Sequence, residues 1–220
     1  MAWYACASLQ AAIPNPVTGD YIILPPPISS IQDNKFTTGF ALDAMTNEYK
    51  VVRMRMTMHL DGNSSAAVPV AAVYTVGNPG RAWRNIGTLP YFLFNYGPNH
   101  AVNMNGANAI HWLGQQSPSN SSAVYPEFII AWDVTEEKFY GIPLPQEILD
   151  PHQGIGCYNM CLTKYKKFLS IFQFYTEQNM SIWMLEDYYS KVGKKGEYLC
   201  SWIKEEKQIP SIRDWVWDEC

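Results

Sequence analysis

Six times between Asn15 and Leu185 the chain runs a short apolar segment into a cluster of turn-forming residues and back into a second apolar segment. Nowhere does it carry a long stripe at helical spacing. Consecutive segments of this kind, too short to fold alone, pair as antiparallel hairpins, so the pattern demands an all-β fold. The first hairpin spans 15–27, with Asn15, Pro16 and Gly19 in its turn and a proline stop at Pro25. The second spans 39–54, where Val51, Arg53 and Arg55 alternate with Val52, Met54 and Met56, the period of a strand with one face more polar than the other. The third spans 68–86 around a turn from Gly77 to Gly80. The fourth spans 101–114 and turns at Asn105-Gly106, a dipeptide that tolerates positive φ. The last two span 128–145 and 168–185.

Three of these turns repeat a spacing: Asn15 to Tyr21, Asp43 to Tyr49 and Asp133 to Phe139 each set an Asn or Asp six residues before an aromatic, with a Thr between. The Asn, Asp and Thr side chains can close local bonds to the turn backbone, while the aromatic opens the returning strand. Asp43 and Asp133 are about two propeller repeats apart. At about 42 residues per blade, the chain predicts a β-propeller of about five blades, with closure of the ring left open. Pro145–Leu149 is expected to form one helical turn and Met184–Lys191 two.

Composition narrows the partners. Aromatics make up 14% and charged residues 16% of the 220 residues, which suits half-buried strands. A net charge of −4 supplies no positive field for nucleic acid or an anionic membrane, and no run of eighteen apolar residues exists to span one. The short basic stretches at 164–167 and 191–195 read as solvated loops. Five cysteines, an odd number without a secretory leader, read as reduced thiols, so the expected location is cytoplasm or nucleus. Cys157 and Cys161 lack a second ligand pair, and His59, His100, His111 and His152 are scattered, so neither metal nor cofactor is expected.

The same residues, taken in order, resemble the plant F-box associated (kelch-like) domains. The resemblance runs through Asn15-Pro16-Val17-Thr18, Leu24-Pro25, Gly39-Phe40, Asp43 and the segment Glu48 to Arg53. It continues with Val73-Tyr74, Ala82-Trp83-Arg84, Met104-Asn105-Gly106 followed by His111-Trp112-Leu113, the stretch Ile129 to Pro145, and Ser181 to Met184. Extra residues separate Gly106 from His111. The chain reads as one domain over 1–220, best matched over 15–188, with a divergent part at 189–220. No F-box pattern precedes Asn15. The resemblance implies a kelch-like propeller that recognises target proteins for an SCF-type E3 ubiquitin ligase. A Skp-type adaptor and a cullin would join only through an F-box outside this chain. It implies no catalytic activity.

The motifs that invite chemistry have structural readings of their own. His111-Trp112 has no nucleophile nearby in sequence and reads as a strand histidine. Glu136, Glu137 and Lys138 read as a solvated turn, and Trp83, Trp112, Trp132 and Trp183 as core. The aromatic run Tyr91, Phe92, Phe94 and Tyr96 is the candidate partner-binding loop, with an extra buried strand as its competing reading. Two further readings of the whole remain: a lectin-like propeller whose exposed aromatics stack on sugars, and a truncated family product without function.

Overall fold

In the computed structural model, the described residues are 12–15, 17–26, 36–55, 69–77, 82–90, 92–93, 100–104, 108–115, 126–149, 160–176, 179–186 and 200–208. They form strands and turns without a helix. A two-stranded hairpin opens the chain, β1 (Ala12–Pro14) against β2 (Tyr21–Ile23). Sheet I is a meander of β3 (Phe36–Asp43), β4 (Glu48–Arg55), β5 (Val70–Thr75) and β6 (Arg84–Thr88). Sheet II contains β7 (Phe92–Leu93), β8 (Val102–Met104), β9 (Ala109–Gln115), β10 (Phe128–Asp133) and β11 (Lys138–Pro143). Sheet III is the meander β12 (Met160–Tyr165), β13 (Phe168–Phe174), β14 (Asn179–Leu185) and β15 (Trp202–Gln208). Every pairing is antiparallel.

The all-β propeller expectation holds in the arrangement of these sheets. The first strand of each lies on one edge, and β8 touches β3 on one side and β12 on the other. Those inner strands stand side by side, and each meander steps outward from them. Blades packed face to face bury both sides of their central strands, so the strands lose the alternation of a sheet that faces water. On β4, Val52 and Met54 join Ala71, Val73, Ile110, Trp112, Ile130 and Trp132 in a core between sheets I and II. Val51, on the opposite side, joins Ile13, Leu24, Ala72 and Trp83 under the β1–β2 hairpin. Leu113, Ile129, Ile142, Leu169, Ile171 and Trp183 fill the space between sheets II and III. The face of β4 expected to be the more polar is therefore also interior, and Arg53 lies buried on it.

Close packing between sheets requires glycine at Gly39. A Cβ there would fall 2.8 Å from Cζ2 of Trp112, whose Nε1 donates to Thr37 Oγ1 at 3.2 Å. Trp83 donates from Nε1 to the Pro25 carbonyl at 2.7 Å, tying the opening hairpin to sheet I.

The five or so blades expected become, among the described residues, three large sheets and one two-stranded hairpin. Each large sheet spans more chain than the assumed repeat, namely 36–88, 92–143 and 160–208. Three strands lay outside the expected hairpins, β1, β12 and β15. β15 falls in the part expected to diverge; it completes sheet III on the outer edge, where Lys204, Glu205, Glu206 and Lys207 give it the charged character of an edge strand. The helix expected at Met184–Lys191 is corrected at its start. Met184 and Leu185 end β14 and are both buried, on alternate sides of a sheet covered on both; residues 187–191 lie outside the described set. The single turn expected at Pro145–Leu149 is present, with Ile148 N donating to Pro145 O and Leu149 N to Gln146 O, both at 3.0 Å.

Candidate protein-binding surface

The three turns with the repeated spacing share one backbone geometry. In each, the Asn or Asp carbonyl accepts from the amide four residues on: Asn15 from Gly19 at 2.9 Å, Asp43 from Asn47 at 2.8 Å and Asp133 from Glu137 at 2.9 Å. The donor is left-handed every time, with φ of 76° at Gly19, 56° at Asn47 and 54° at Glu137. The side chain closes the start of the loop, as when Asp133 Oδ1 accepts from the amides of Thr135 at 2.9 Å and Glu136 at 2.8 Å. These are stiff tips, with their amides satisfied locally.

Two of the tips, from sheets I and II, lock together. Lys50 is buried beside the β3–β4 turn, and its Nζ lies 2.9 Å from Asp43 Oδ2 and 3.1 Å from Glu137 Oε1 while donating to the Val134 carbonyl at 2.8 Å. Thr135 Oγ1 donates to Asp43 Oδ1 at 2.7 Å, and Asn108 donates in turn to Thr135 Oγ1. Arg84 Nη2 closes the outside on Glu137 Oε2 at 2.6 Å. Burial by itself would raise the Asp43 carboxyl, but Lys50, Thr135, the Met45 amide and Thr46 donate to it and hold it well below the carboxylate range. Burial likewise works to lower the Lys50 ammonium, and Asp43 and Glu137 outweigh it and raise its pKa. The cluster is an ionic clamp between two sheets, in which the Lys50 ammonium stands close to both carboxylates and bonds the Val134 carbonyl.

The clamp leaves apolar side chains in water on the turn it braces. Met45, at the tip, is 79% exposed, and the directly opposed pair Leu42 and Tyr49 are 40% and 48% exposed. Tyr49 is stacked on Phe40, with ring centroids 5.1 Å apart and planes 6° apart, so its position is fixed. Phe40 packs at the edge of the core formed with the β1–β2 hairpin. The same face of sheet I thus receives the hairpin at one end and presents Leu42 and Tyr49 at the other. On the hairpin itself, Val17, Tyr21, Ile22 and Ile23 are exposed. Rigid, exposed aromatic and aliphatic groups on tips are suited to anchoring a partner protein. Met45 is the residue that could have been noticed in sequence, being apolar in a loop position where small polar residues prevail.

Of the expected contacts, Phe92 belongs to β7, half-buried and opposite Gln115, with Leu93 beside it in the core. That matches the extra-strand reading at this position. Tyr91, Phe94 and Tyr96 lie outside the described residues, as do Asn105-Gly106 and Cys157. His111 is buried in sheet II with Nδ1 3.0 Å from the Val102 carbonyl, which can only accept, so Nδ1 carries the proton. Burial pushes its pKa down to about 4 against that hydrogen bond. Asp133 spends its carboxylate on its own turn. Trp83, Trp112, Trp132 and Trp183 are all core, as expected of them. No three His, Cys, Asp or Glu among the described residues are placed to hold a metal ion.

Comparison with known sequences adds an independent observation. The profile of the F-box associated beta propeller domain matches residues 3–212. A protein of Arabidopsis thaliana named as an F-box protein is 26% identical over 149 residues, covering 68% of this chain and 42% of that protein. The chain therefore spans about two fifths of the length of this relative. No solved structure matches the chain significantly.

Proposed function

The chain belongs to the F-box associated β-propeller family, and from that premise we propose that it is the target-recognition part of an SCF-type E3 ubiquitin ligase. The observation that carries this reading is the apolar tip Leu42, Met45 and Tyr49, held in water by a turn that the Asp43–Lys50–Glu137 clamp fixes to the next sheet. A preorganised anchor loses little conformational entropy on binding, which is what a recognition surface gains from a stiff scaffold. In this reading the propeller selects the protein, and an F-box elsewhere in the assembled ligase brings in a Skp-type adaptor and a cullin. Binding needs no cofactor and no chemistry from the chain, and the work takes place in cytoplasm or nucleus.

The test is affinity purification with mass spectrometry from plant cells. Three baits are compared: the chain, the chain fused to an F-box, and the fusion carrying Met45→Asp and Tyr49→Ser. The expected result is a partner shared by the first two and lost by the third, with adaptor and cullin on both fusions and ubiquitination of the partner only with the unmutated fusion. Met45→Asp lies at an exposed tip and should change stability by under about 0.5 kcal/mol, while Tyr49→Ser also gives up the stack on Phe40, about 0.5–1.5 kcal/mol, so folding of the third bait is checked by its unfolding midpoint. Absence of any reproducible partner on the first two baits overturns the recognition reading. A partner that the third bait still holds and ubiquitinates moves the contact away from this tip.

A further inference from the structure

Strand β2 ends a sheet of two strands and is open on its outer side. Among the described residues it pairs with β1 alone, and a hairpin by itself is at best marginally stable in water. The ladder fixes which way its polar groups point. Asn15 N donates to Asp20 O at 2.7 Å, so these two are a bonded pair, and alternation makes Ile13 and Ile22 the next. Pro14, which has no amide hydrogen, falls opposite Tyr21 at a position without mutual bonds. The N–H and C=O of Tyr21 and Ile23 therefore point away from β1, along an open edge. The side chains of that edge are apolar on both faces. Tyr21 and Ile23 look away from sheet I and are 65% and 54% exposed. Ile22 shares the face of Ile13 and Leu24, which are buried against sheet I, yet is itself 49% exposed, so sheet I stops short of this edge. β15, by contrast, carries Lys204, Glu205, Glu206 and Lys207 on an outer edge, the usual guard against a second strand.

We propose that β2 is the contact of a reversible homodimer, in which the β2 of a second copy adds antiparallel across the open edge with the two-fold axis at Ile22. The edge is complementary to itself. Turned about that axis, Tyr21 faces Ile23 of the second copy, and each such pair exchanges both of its N–H to C=O bonds. Ile22 meets its own counterpart at a non-bonded position, where cross-strand side chains stand closest. The result is a sheet in the order β1-β2-β2-β1, with the four strands that sheets I and III each have. Any extended strand matches the backbone. The second copy also matches the side chains, an aromatic against a β-branched residue on one face and isoleucine against isoleucine on the other. Area sets the strength. Tyr21, Ile22 and Ile23, with Val17 at the turn beside them, leave on the order of 450 Å2 uncovered per copy, about half the share that each partner brings to a standard interface. The dimer is therefore weak, with a dissociation constant on the order of 10–100 µM. It does not depend on the target-recognition reading.

Sedimentation equilibrium of the full chain tests it, and the wild-type mass should rise from one chain towards two between about 1 and 500 µM. Ile22→Lys sets two ammonium groups face to face at the axis and should weaken association by at least about tenfold, with thermal unfolding at low concentration showing that the variant is folded. Ile22→Cys reads the geometry. In oxidised glutathione it should form a reducible cross-link between copies much faster than Tyr21→Cys, whose counterpart lies two residues off across the ladder. The wild type, with its own thiols, sets the background. A wild type that stays one chain throughout, association that Ile22→Lys leaves unchanged, or equal cross-linking of the two cysteine variants overturns the proposal. A monomer whose Tyr21 and Ile23 amides resist hydrogen exchange overturns it in favour of a segment of the same chain on this edge.

Discussion

Replacing Lys50 by Met keeps most of the aliphatic stem and deletes the ammonium at the centre of the clamp between sheets I and II. Three contacts disappear at once, to Asp43, to Glu137 and to the Val134 carbonyl. Removing one partner of a buried ion pair typically costs about 3–5 kcal/mol. Asp43 keeps the donors Thr135 and Met45, so the lower end, about 3 kcal/mol, applies. For a domain of this size that lowers the unfolding midpoint by about 6–12 °C at pH 7. The pH dependence carries the mechanism. The folded pKa of Asp43 lies below its ordinary value of 3.8, so its contribution is present above that value and is lost as pH falls through the folded one. The folded pKa of Lys50 lies above 10.5, so its contribution is present below that value and is lost as pH rises through the folded one. The wild type therefore holds the clamp across the whole neutral range. Lys50→Met strands a buried carboxylate at neutral pH but not once Asp43 is protonated. Calorimetry of both proteins from pH 7 down to pH 3 should show the gap closing below about pH 4. A gap under about 2 °C at pH 7, or one of constant size down to pH 3, refutes the assignment of a buried, coupled clamp.

Gly39→Ala sets a methyl group 2.8 Å from the Trp112 ring, which its hydrogen bond to Thr37 keeps from yielding. The expected loss is about 1–3 kcal/mol in a denaturant titration, and a neutral result would show that the sheets slide apart freely. Asn47→Val puts a β-branched residue at φ 56°. It should cost about 1–2 kcal/mol, measured the same way, with the exposed tip unchanged in every other contact.

The strand pattern was legible because the period of two and the turn residues are local. Six hairpins were placed from that information, and four core tryptophans with them. β1, β12 and β15 escaped. Met160 to Tyr165 carries only Met160 and Leu162 as large aliphatic residues among Cys161, Thr163 and Lys164, and Trp202 to Gln208 is half charged. An outer strand is stabilised by one neighbour's ladder and needs no apolar face of its own. The repeat unit was set too short because the long connections, such as 144–159, are invisible to a count of strands. The candidate surface was the least legible part. The sequence directed attention to Tyr91, Phe92, Phe94 and Tyr96, yet whether an aromatic points to water depends on what packs across from it. Phe92 entered a strand, while Leu42 and Tyr49 were left uncovered.

The sequence alone carried the class of fold and the family, since both rest on short-range order: where apolar runs sit, where the chain turns, and in what succession the motifs come. It also marked Asp43, Asp133 and their threonines as turn closers, because those bonds span only a few residues. What it could not carry was that the two turns meet. Lys50 reads in sequence as an ordinary strand lysine and Arg53 as its neighbour on the polar side. Only the stacking of one sheet on the next buried both, gave Lys50 two carboxylates from different sheets, and set Arg53 against the rings of Phe36 and Trp83. Charge pairing in a folded chain is decided by distances across 80 or so residues of sequence, as from Lys50 to Val134, and those distances exist only once apolar burial has brought the sheets together.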